Sequence, residues 1–335
     1  MRQIVFDKPG SAVVWDMPDV PTGADQVRVR MAYTALSAGT ERANVSGDPN
    51  CGGSRASGVR PFPRMSGYSG SGVVEEVGAN VNGLKPGDRV ITRWGAHKEV
   101  NTLPAENVIK IDDDSVKLSD AAFLFISTFG LAAVRKLRPE LGESCLVVGL
   151  GLLGMFSIQF AHLSGMMPVI AADFNQERRA LALKLGADIA LDPADPEYTN
   201  KVLELTDGRG ASTVVEVTGN GDALNQALLC TAPFGRVALL GCTRQPPTVD
   251  LYHDVHYPGI TLIGAHTAAR PKLESHPGYW TERDDHMTAL KYLACGRLDV
   301  SSIISEIHAP EDAPSVYDRL INEKDFPLGI VFKWN

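Results

Sequence analysis

A chain of 335 residues is long for one hydrophobic core and suits two domains, because single cores stop growing near about 250–300 residues. Hydrophobic content of 44% and charged content of 21% are those of an ordinary globular protein. The net charge of -8 argues against nucleic acid or an anionic membrane as partner, since either asks for a basic face.

The opening Met1-Arg2-Gln3-Ile4-Val5-Phe6 lacks the apolar run and small-residue cleavage site of a secretory signal. No apolar stretch approaches the ~20 residues that span a bilayer. Residues 27–33 alternate with period two and read as a strand, as do 72–78 and 89–91, the last led in by the turn Lys85-Pro86-Gly87-Asp88. Between 46 and 66 the chain is rich in Gly, Ser, Pro and Arg, which reads as a substrate-facing flap or an insertion. Its Arg55, Arg60 and Arg64 suit clamping a carboxylate or phosphate, or plain solvation.

From about Leu118 the rhythm changes. A helical segment over 119–137 is followed by alternating elements: strand 145–149, helix 152–164, strand 168–173, helix 176–185. Strands at 213–217, 236–240 and 260–263 continue the alternation, with a helix at 222–230. This pattern predicts an α/β fold with a doubly wound parallel sheet covered on both faces. The tail carries helices over 284–295 and 311–322 and a closing strand over 328–334. The five cysteines are scattered and odd in number, which disfavours a zinc lobe and fits reduced thiols in a cytoplasmic protein. Cys145, Cys230 and Cys242 adjoin apolar runs and read as core packing.

The strongest local signal is the apolar strand from Cys145 into Gly149-Leu150-Gly151-Leu152-Leu153-Gly154 and a helix. Gly149 permits a tight turn, Gly151 lets backbone amides approach a pyrophosphate, and Gly154 lets the helix pack closely on the sheet. The positive end of that helix faces the phosphates. Asp173 ends the next strand about 20 residues later, where a carboxylate accepts both ribose hydroxyls and repels a 2′-phosphate; NAD is therefore expected over NADP. Arg178 suits the adenosine edge or a solvated helix face. Ligands bind at the carboxyl ends of parallel strands, which adds Thr218-Gly219, Gly241-Cys242 and Ala265-His266 to the expected cofactor site.

With these residues in place, the sequence resembles the medium-chain dehydrogenase/reductase superfamily along essentially its whole length. The resemblance rests on Gly67-Tyr68-Ser69-Gly70-Ser71-Gly72 and the run to Gly78, on Lys85-Pro86-Gly87-Asp88-Arg89-Val90, and on Pro104-Ala105-Glu106-Asn107. The Gly149–Gly154 loop and Phe234-Gly235-Arg236-Val237 continue it in order. It implies a GroES-like β-barrel catalytic domain over 1–120, a Rossmann NAD-binding domain over 121–268, and a returning segment over 269–335 that completes the catalytic domain. It also implies a homo-oligomer, dimer or tetramer, with 260–263 as the candidate sheet edge.

Zinc members of the family carry Cys-Gly-Thr-Asp-x-His and Gly-His-Glu. Here the matching residues are Ala38-Gly39-Thr40-Glu41-Arg42-Ala43 and Gly67-Tyr68-Ser69, with an apolar third-ligand region near Phe125. A catalytic zinc needs three strong protein ligands, so no metal is expected. The string Ser37–Arg42 resembles a zinc-lacking branch that includes bacteriochlorophyllide dehydrogenase-like proteins.

What the metal normally does, removing the hydroxyl proton and stabilising the alkoxide, then falls to side chains. Tyr68 is the candidate acid/base with Thr40 as relay, helped by Arg42 or Arg93; Glu41 is the second candidate base, or an ion-pair partner of Arg42 or Arg64. His97 reads as structural. His253, His256 and His266 do not share a helix or strand period that would converge them on a metal. Tyr279 and Trp280 suit stacking on a sugar face or anchoring the returning segment. The expected activity is hydride transfer between NAD and a small-molecule secondary alcohol of polyol, sugar or cyclitol type. The alternatives are a zinc-free enone or quinone reductase using NAD(P)H, against which Asp173 argues, and a non-catalytic NAD-binding protein.

Overall fold

The computed structural model describes residues 1–48 and 61–334. Cys51, Arg55 and Arg60, and with them most of the expected flap, lie outside the described residues. In chain order the first elements are β1 (Arg2–Lys8), β2 (Ser11–Asp16), β3 (Gln26–Ala35), α1 (Ala38–Ser46), β4 (Arg64–Met65), β5 (Ser69–Val77), β6 (Arg89–Arg93), β7 (Val100–Pro104), β8 (Val108–Lys110), α2 (Leu118–Ala121) and α3 (Leu124–Leu137). Then come β9 (Cys145–Val148), α4 (Leu152–Leu163), β10 (Val169–Ala172), α5 (Gln176–Lys184), β11 (Ile189–Leu191), α6 (Tyr198–Glu204), β12 (Ala211–Glu216), α7 (Gly221–Leu229), β13 (Thr231–Leu239) and β14 (Thr261–Gly264). The tail holds α8 (Glu282–Ala294), β15 (Ile304–His308), α9 (Ala313–Asn322) and β16 (Gly329–Lys333).

Two compact units form, one from 1–126 with 290–335 and the other from 127–289. In the first, β3 is the central strand, pairing antiparallel with β5, β7 and β16. Its alternation buries Val27, Val29 and Met31 completely, as period two requires. β5 approaches it so closely that a Cβ on Gly72 would sit 2.1 Å from the Arg30 carbonyl oxygen. Core residues from the tail, among them Tyr317, Leu320, Phe332 and Trp334, join Ile4, Phe6, Val29 and Leu36 in one cluster.

The second unit is a six-stranded parallel sheet in the order β11-β10-β9-β12-β13-β14. Chain order runs outward from β9 to β10 on one side and to β12 on the other, so the carboxyl end of β9 is the switch point where such sheets open a crevice. All four residues of β9 and of β10 are buried, which explains their uninterrupted apolar runs.

Two of the expected boundaries and one expected burial differ. The helix over 119–137 divides in two after Ala121, where Ser69 Oγ donates to the Ala122 carbonyl at the break; Ser71 Oγ donates to the carbonyl of Leu118 at the start of α2. The second unit extends past 268 to Ala289, since polar and aromatic groups in this stretch anchor to α3. Arg270 Nη2 donates to the Thr128 carbonyl at 2.7 Å, Arg135 Nη2 to Thr288 Oγ1 at 2.9 Å, and the Arg135 guanidinium lies 3.7 Å over the Trp280 ring. Cys242 is exposed, unlike Cys145 and Cys230, because it belongs to the loop that leaves β13. Among the described residues no helix is long and apolar enough to cross a membrane.

Candidate active site

The glycine loop after β9 has the backbone a pyrophosphate cradle needs. Gly149 takes a φ of +92°, where a Cβ would strike Thr218 Cγ2 at 2.7 Å. A Cβ on Gly154 would lie 2.0 Å from the Gly149 carbonyl oxygen, whereas one on Gly151 would meet nothing within 4 Å. Gly151 is the N-cap of α4 and offers no side-chain cap. The amides of the first turn, at Leu152 and Leu153, therefore adjoin open space at the positive end of the helix, which favours an anion.

Asp173 follows β10 and is tied to this loop. Its Oδ2 accepts from the Leu150 amide at 2.7 Å and its Oδ1 from the Asn175 amide at 2.8 Å. Each carboxylate oxygen has a second lone pair, so two further donors fit. Arg178 lies in the first turn of α5, its amide donating to the Asn175 cap at 3.0 Å.

Glu216, absent from the sequence reading, organises the next two strand ends. Buried at the end of β12, its carboxylate accepts from the Thr218 amide at 2.7 Å, the Thr218 hydroxyl and the Gly219 amide. Burial nonetheless pushes its pKa up, against the opposing pull of these bonds. Cβ atoms on Gly219 and Gly241 would collide with Cys242 and Gly219 backbone respectively, so the loops leaving β12 and β13 touch at the expected residues. Ala265 continues β14, its amide donating to the Leu239 carbonyl at 3.0 Å, and His266 Nδ1 accepts from the Ala268 amide at 3.1 Å. His253 instead pairs with Asp250 at 2.8 Å, in a segment before β14. Tyr279 and Trp280 face cations of α3 and of the residue that follows it, the Lys136, Arg135 and Arg138 side chains.

In the first unit, Tyr68 is half-buried, with Phe125 edge-on to its ring at 5.6 Å and Trp94 at 6.0 Å. Its hydroxyl donates to Ser37 Oγ at 2.6 Å. Ser37 is thus a hydroxyl partner of Tyr68 that the sequence does not single out beside Thr40. Ser37 is the N-cap of α1 but makes no side-chain cap. Glu41 reaches back to the Ser37 amide at 2.8 Å, holding the serine main chain while its hydroxyl receives Tyr68.

Glu41 is itself only 1% exposed, which corrects its reading as a base that meets substrate and its expected pairing with Arg42 or Arg64. Its carboxylate accepts from His97 Nε2 at 3.0 Å and from the Tyr317 hydroxyl. Burial drives its pKa up, but His97, Tyr317 and the Ser37 amide outweigh burial and leave it lowered. His97 Nδ1 meets Thr34 Oγ1 at 2.7 Å, and Thr34 accepts from Trp334 Nε1 at 2.9 Å. Of the expected cationic helpers, Arg42 donates to the Leu320 carbonyl and Arg93 to that of Glu106. Among the described residues, no three His, Cys, Asp or Glu side chains group to hold a metal.

Residues 23–113 match the model of the alcohol dehydrogenase GroES-like domain, and residues 153–276 that of the zinc-binding dehydrogenase. An L-threonine 3-dehydrogenase of Pyrococcus furiosus is 30% identical over 62% of this chain and 67% of its own. The chain belongs to the medium-chain, alcohol dehydrogenase-like family. Another threonine 3-dehydrogenase, from Pyrococcus horikoshii, is 28% identical over 79% of this chain and 82% of its own. The fold is likewise that of galactitol-1-phosphate dehydrogenase from Escherichia coli, with a TM-score of 0.85 at 21% identity over 99% of this chain and 100% of that one. A 2R,3R-butanediol dehydrogenase from Bacillus subtilis superposes with a TM-score of 0.83 at 20% identity, over 100% of this chain and 99% of its own. As a medium-chain dehydrogenase, the protein pairs a GroES-like unit with a Rossmann sheet and acts as a nicotinamide-dependent dehydrogenase.

Proposed function

We propose that this family member is a zinc-independent, NAD-dependent oxidoreductase acting on a small secondary alcohol of polyol, sugar or cyclitol type. The observation that carries this reading is the Tyr68–Ser37 hydrogen bond at the place where zinc relatives put a histidine ligand. Zinc wants thiolate, imidazole or carboxylate donors. Ala38, Tyr68 and the apolar stretch around Phe125 do not fit it, and the nearby carboxylate of Glu41 is committed to His97, Tyr317 and Ser37.

The dinucleotide fits. Gly151 and the first turn of α4 would hold its pyrophosphate, Asp173 its adenosine ribose, and the loops at Thr218-Gly219, Gly241-Cys242 and Ala265-His266 its nicotinamide half. When bound, it accepts or gives the hydride. The Asp173 carboxylate supports NAD over NADP, since a 2′-phosphate would bring like charges together.

The protein's own task is the proton. In the reducing direction Tyr68 turns its phenolic proton from Ser37 Oγ to the substrate oxygen, and the Ser37 hydroxyl then donates its own proton in a hydrogen bond to the oxyanion left behind. In the oxidising direction the same proton returns to Tyr68 from the alcohol. Glu41, with His97 and Tyr317, positions Ser37 without touching substrate. The outer edge of β14, the last strand of its sheet, supports a homo-oligomer.

The test is NADH absorbance with a panel of polyols, sugars, cyclitols and L-threonine, together with their ketones. Turnover with NAD that exceeds turnover with NADP is expected. No turnover with any member of the panel overturns the reading.

A further inference from the structure

Lys136 lies in the last turn of α3, 3% exposed, and donates from Nζ to the Gly264 carbonyl at 2.9 Å. A helix C-terminus and one carbonyl favour an ammonium there, but burial of a charge without an ionic partner is costly. The carboxylate in this neighbourhood, Asp285, is already shared: Arg135 donates to its Oδ1, and Arg270 Nε stands 3.4 Å from its Oδ2. The Tyr279 ring centroid lies 5.6 Å from the amine and 5.9 Å from the guanidinium of Arg138. Burial and the charge of Arg270 bring the Lys136 pKa down to about 8, against the pull of Asp285.

Gly264 is the last residue of β14, so this amine is bonded to the strand end from which Ala265 and His266 continue. On the reading above, those residues hold the nicotinamide half. The oxidised ring carries a positive charge and the reduced ring carries none. An ammonium held at the end of this strand therefore repels one redox form and is indifferent to the ring of the other.

We propose that Lys136 makes the dinucleotide site discriminate between the oxidation states of its cofactor, the ammonium disfavouring NAD+, so that NAD+ binding expels a proton from Lys136 to solvent while NADH binding does not. The proton balance is closed: the ammonium becomes a neutral amine, one proton enters the buffer, and the positive charge of the site is carried by the ring instead. This rests on the NAD reading and concerns the residue that tunes it.

Calorimetric titration of the whole protein in two buffers of different ionisation enthalpy counts the protons. Near pH 7 the wild type is expected to release up to about one proton per NAD+ and none per NADH, and the NAD+ affinity is expected to rise about tenfold by pH 9. Lys136→Met removes the charge: NAD+ binds tightly at both pH values with no proton released. Lys136→Arg keeps charge and donor but does not titrate, so NAD+ stays weak at both. NADH affinity, nearly constant across the three proteins, reports an intact site. Proton release by Lys136→Met or Lys136→Arg equal to the wild type, or NAD+ and NADH affinities that run parallel with pH, overturns the proposal. Failure of both dinucleotides to bind the wild type overturns the NAD reading itself.

Discussion

Glu41 accepts from the backbone amide of Ser37 at 2.8 Å, one helical turn back, while the Ser37 hydroxyl receives the Tyr68 proton at 2.6 Å. A serine at an N-cap ordinarily spends its oxygen on an amide of the first turn. Ser37 makes no such cap to α1, so its main chain is held by a buried carboxylate and its hydroxyl by the phenol.

Removing either end of that hydrogen bond should slow the proton step. Tyr68→Phe is expected to lower kcat by about 10²–10⁴-fold, the usual worth of a positioned acid/base, with the dissociation constant for NADH unchanged by fluorescence titration. Ser37→Ala should cost about tenfold and shift the pH profile of kcat upward, since the phenolate loses a donor. Thr40→Ala should leave kcat within about twofold. Full activity in Tyr68→Phe would remove the tyrosine from the mechanism.

The loop proposed to hold the cofactor was legible as a structural unit in the sequence because its signals are local. A strand, a glycine turn, a helix and a carboxylate at fixed separations can be read along one stretch of chain, and the structure places Gly149, Gly151, Gly154 and Asp173 around one loop. Glu216 escaped notice because a single acidic residue closing an apolar strand carries no period. The Tyr68 environment was harder for another reason. Its partners come from distant segments, Ser37 from the start of α1 and Phe125 from α3, and Glu41 is answered by Tyr317 from α9. Sequence alone points to Thr40 as relay, and the Ser37 hydroxyl enters only once the fold brings α1 and Tyr68 together. The split of 119–137 into α2 and α3 was hidden for the same reason, since the serines that mark it belong to β5.

Asp173 should control the choice of dinucleotide by charge. Asp173→Asn removes the negative charge that opposes a 2′-phosphate and keeps an acceptor for one of the Leu150 and Asn175 amides, the other losing its partner. The ratio of kcat/KM for NAD over NADP is expected to fall about tenfold or more, equivalent to ~1.4 kcal/mol. An unchanged ratio would move cofactor selection elsewhere.

Metal removal should have no effect. Dialysis against a strong chelator is expected to leave kcat intact, and elemental analysis of the purified protein should find well under one zinc per chain. Stoichiometric zinc lost together with activity would contradict the Tyr68 assignment, because Ala38 and Phe125 supply no ligand atoms.

The buried Glu41–His97 contact, at 3.0 Å with exposures of 1% and 0%, should show itself in stability against pH. The Glu41 carboxyl titrates below its ordinary value of 4.5 because His97, Tyr317 and the Ser37 amide together outweigh burial. A carboxylate with a depressed folded pKa binds fewer protons in the native than in the unfolded chain. Its contribution is therefore fully present above the unfolded pKa and is lost as pH falls through the lower folded one. Glu41→Gln should destabilise the protein at neutral pH by about 3–5 kcal/mol, the usual cost of breaking a buried pair from one side. The gap to the wild type should narrow as the pH falls below the ordinary carboxyl value of 4.5, where the unfolded chain takes up a proton before the folded one does. Urea unfolding followed by tryptophan fluorescence reads this directly, since Trp334 closes the same network through Thr34. Equal midpoints for the two proteins at pH 7 would mean that the Glu41 carboxyl carries no charge in the fold.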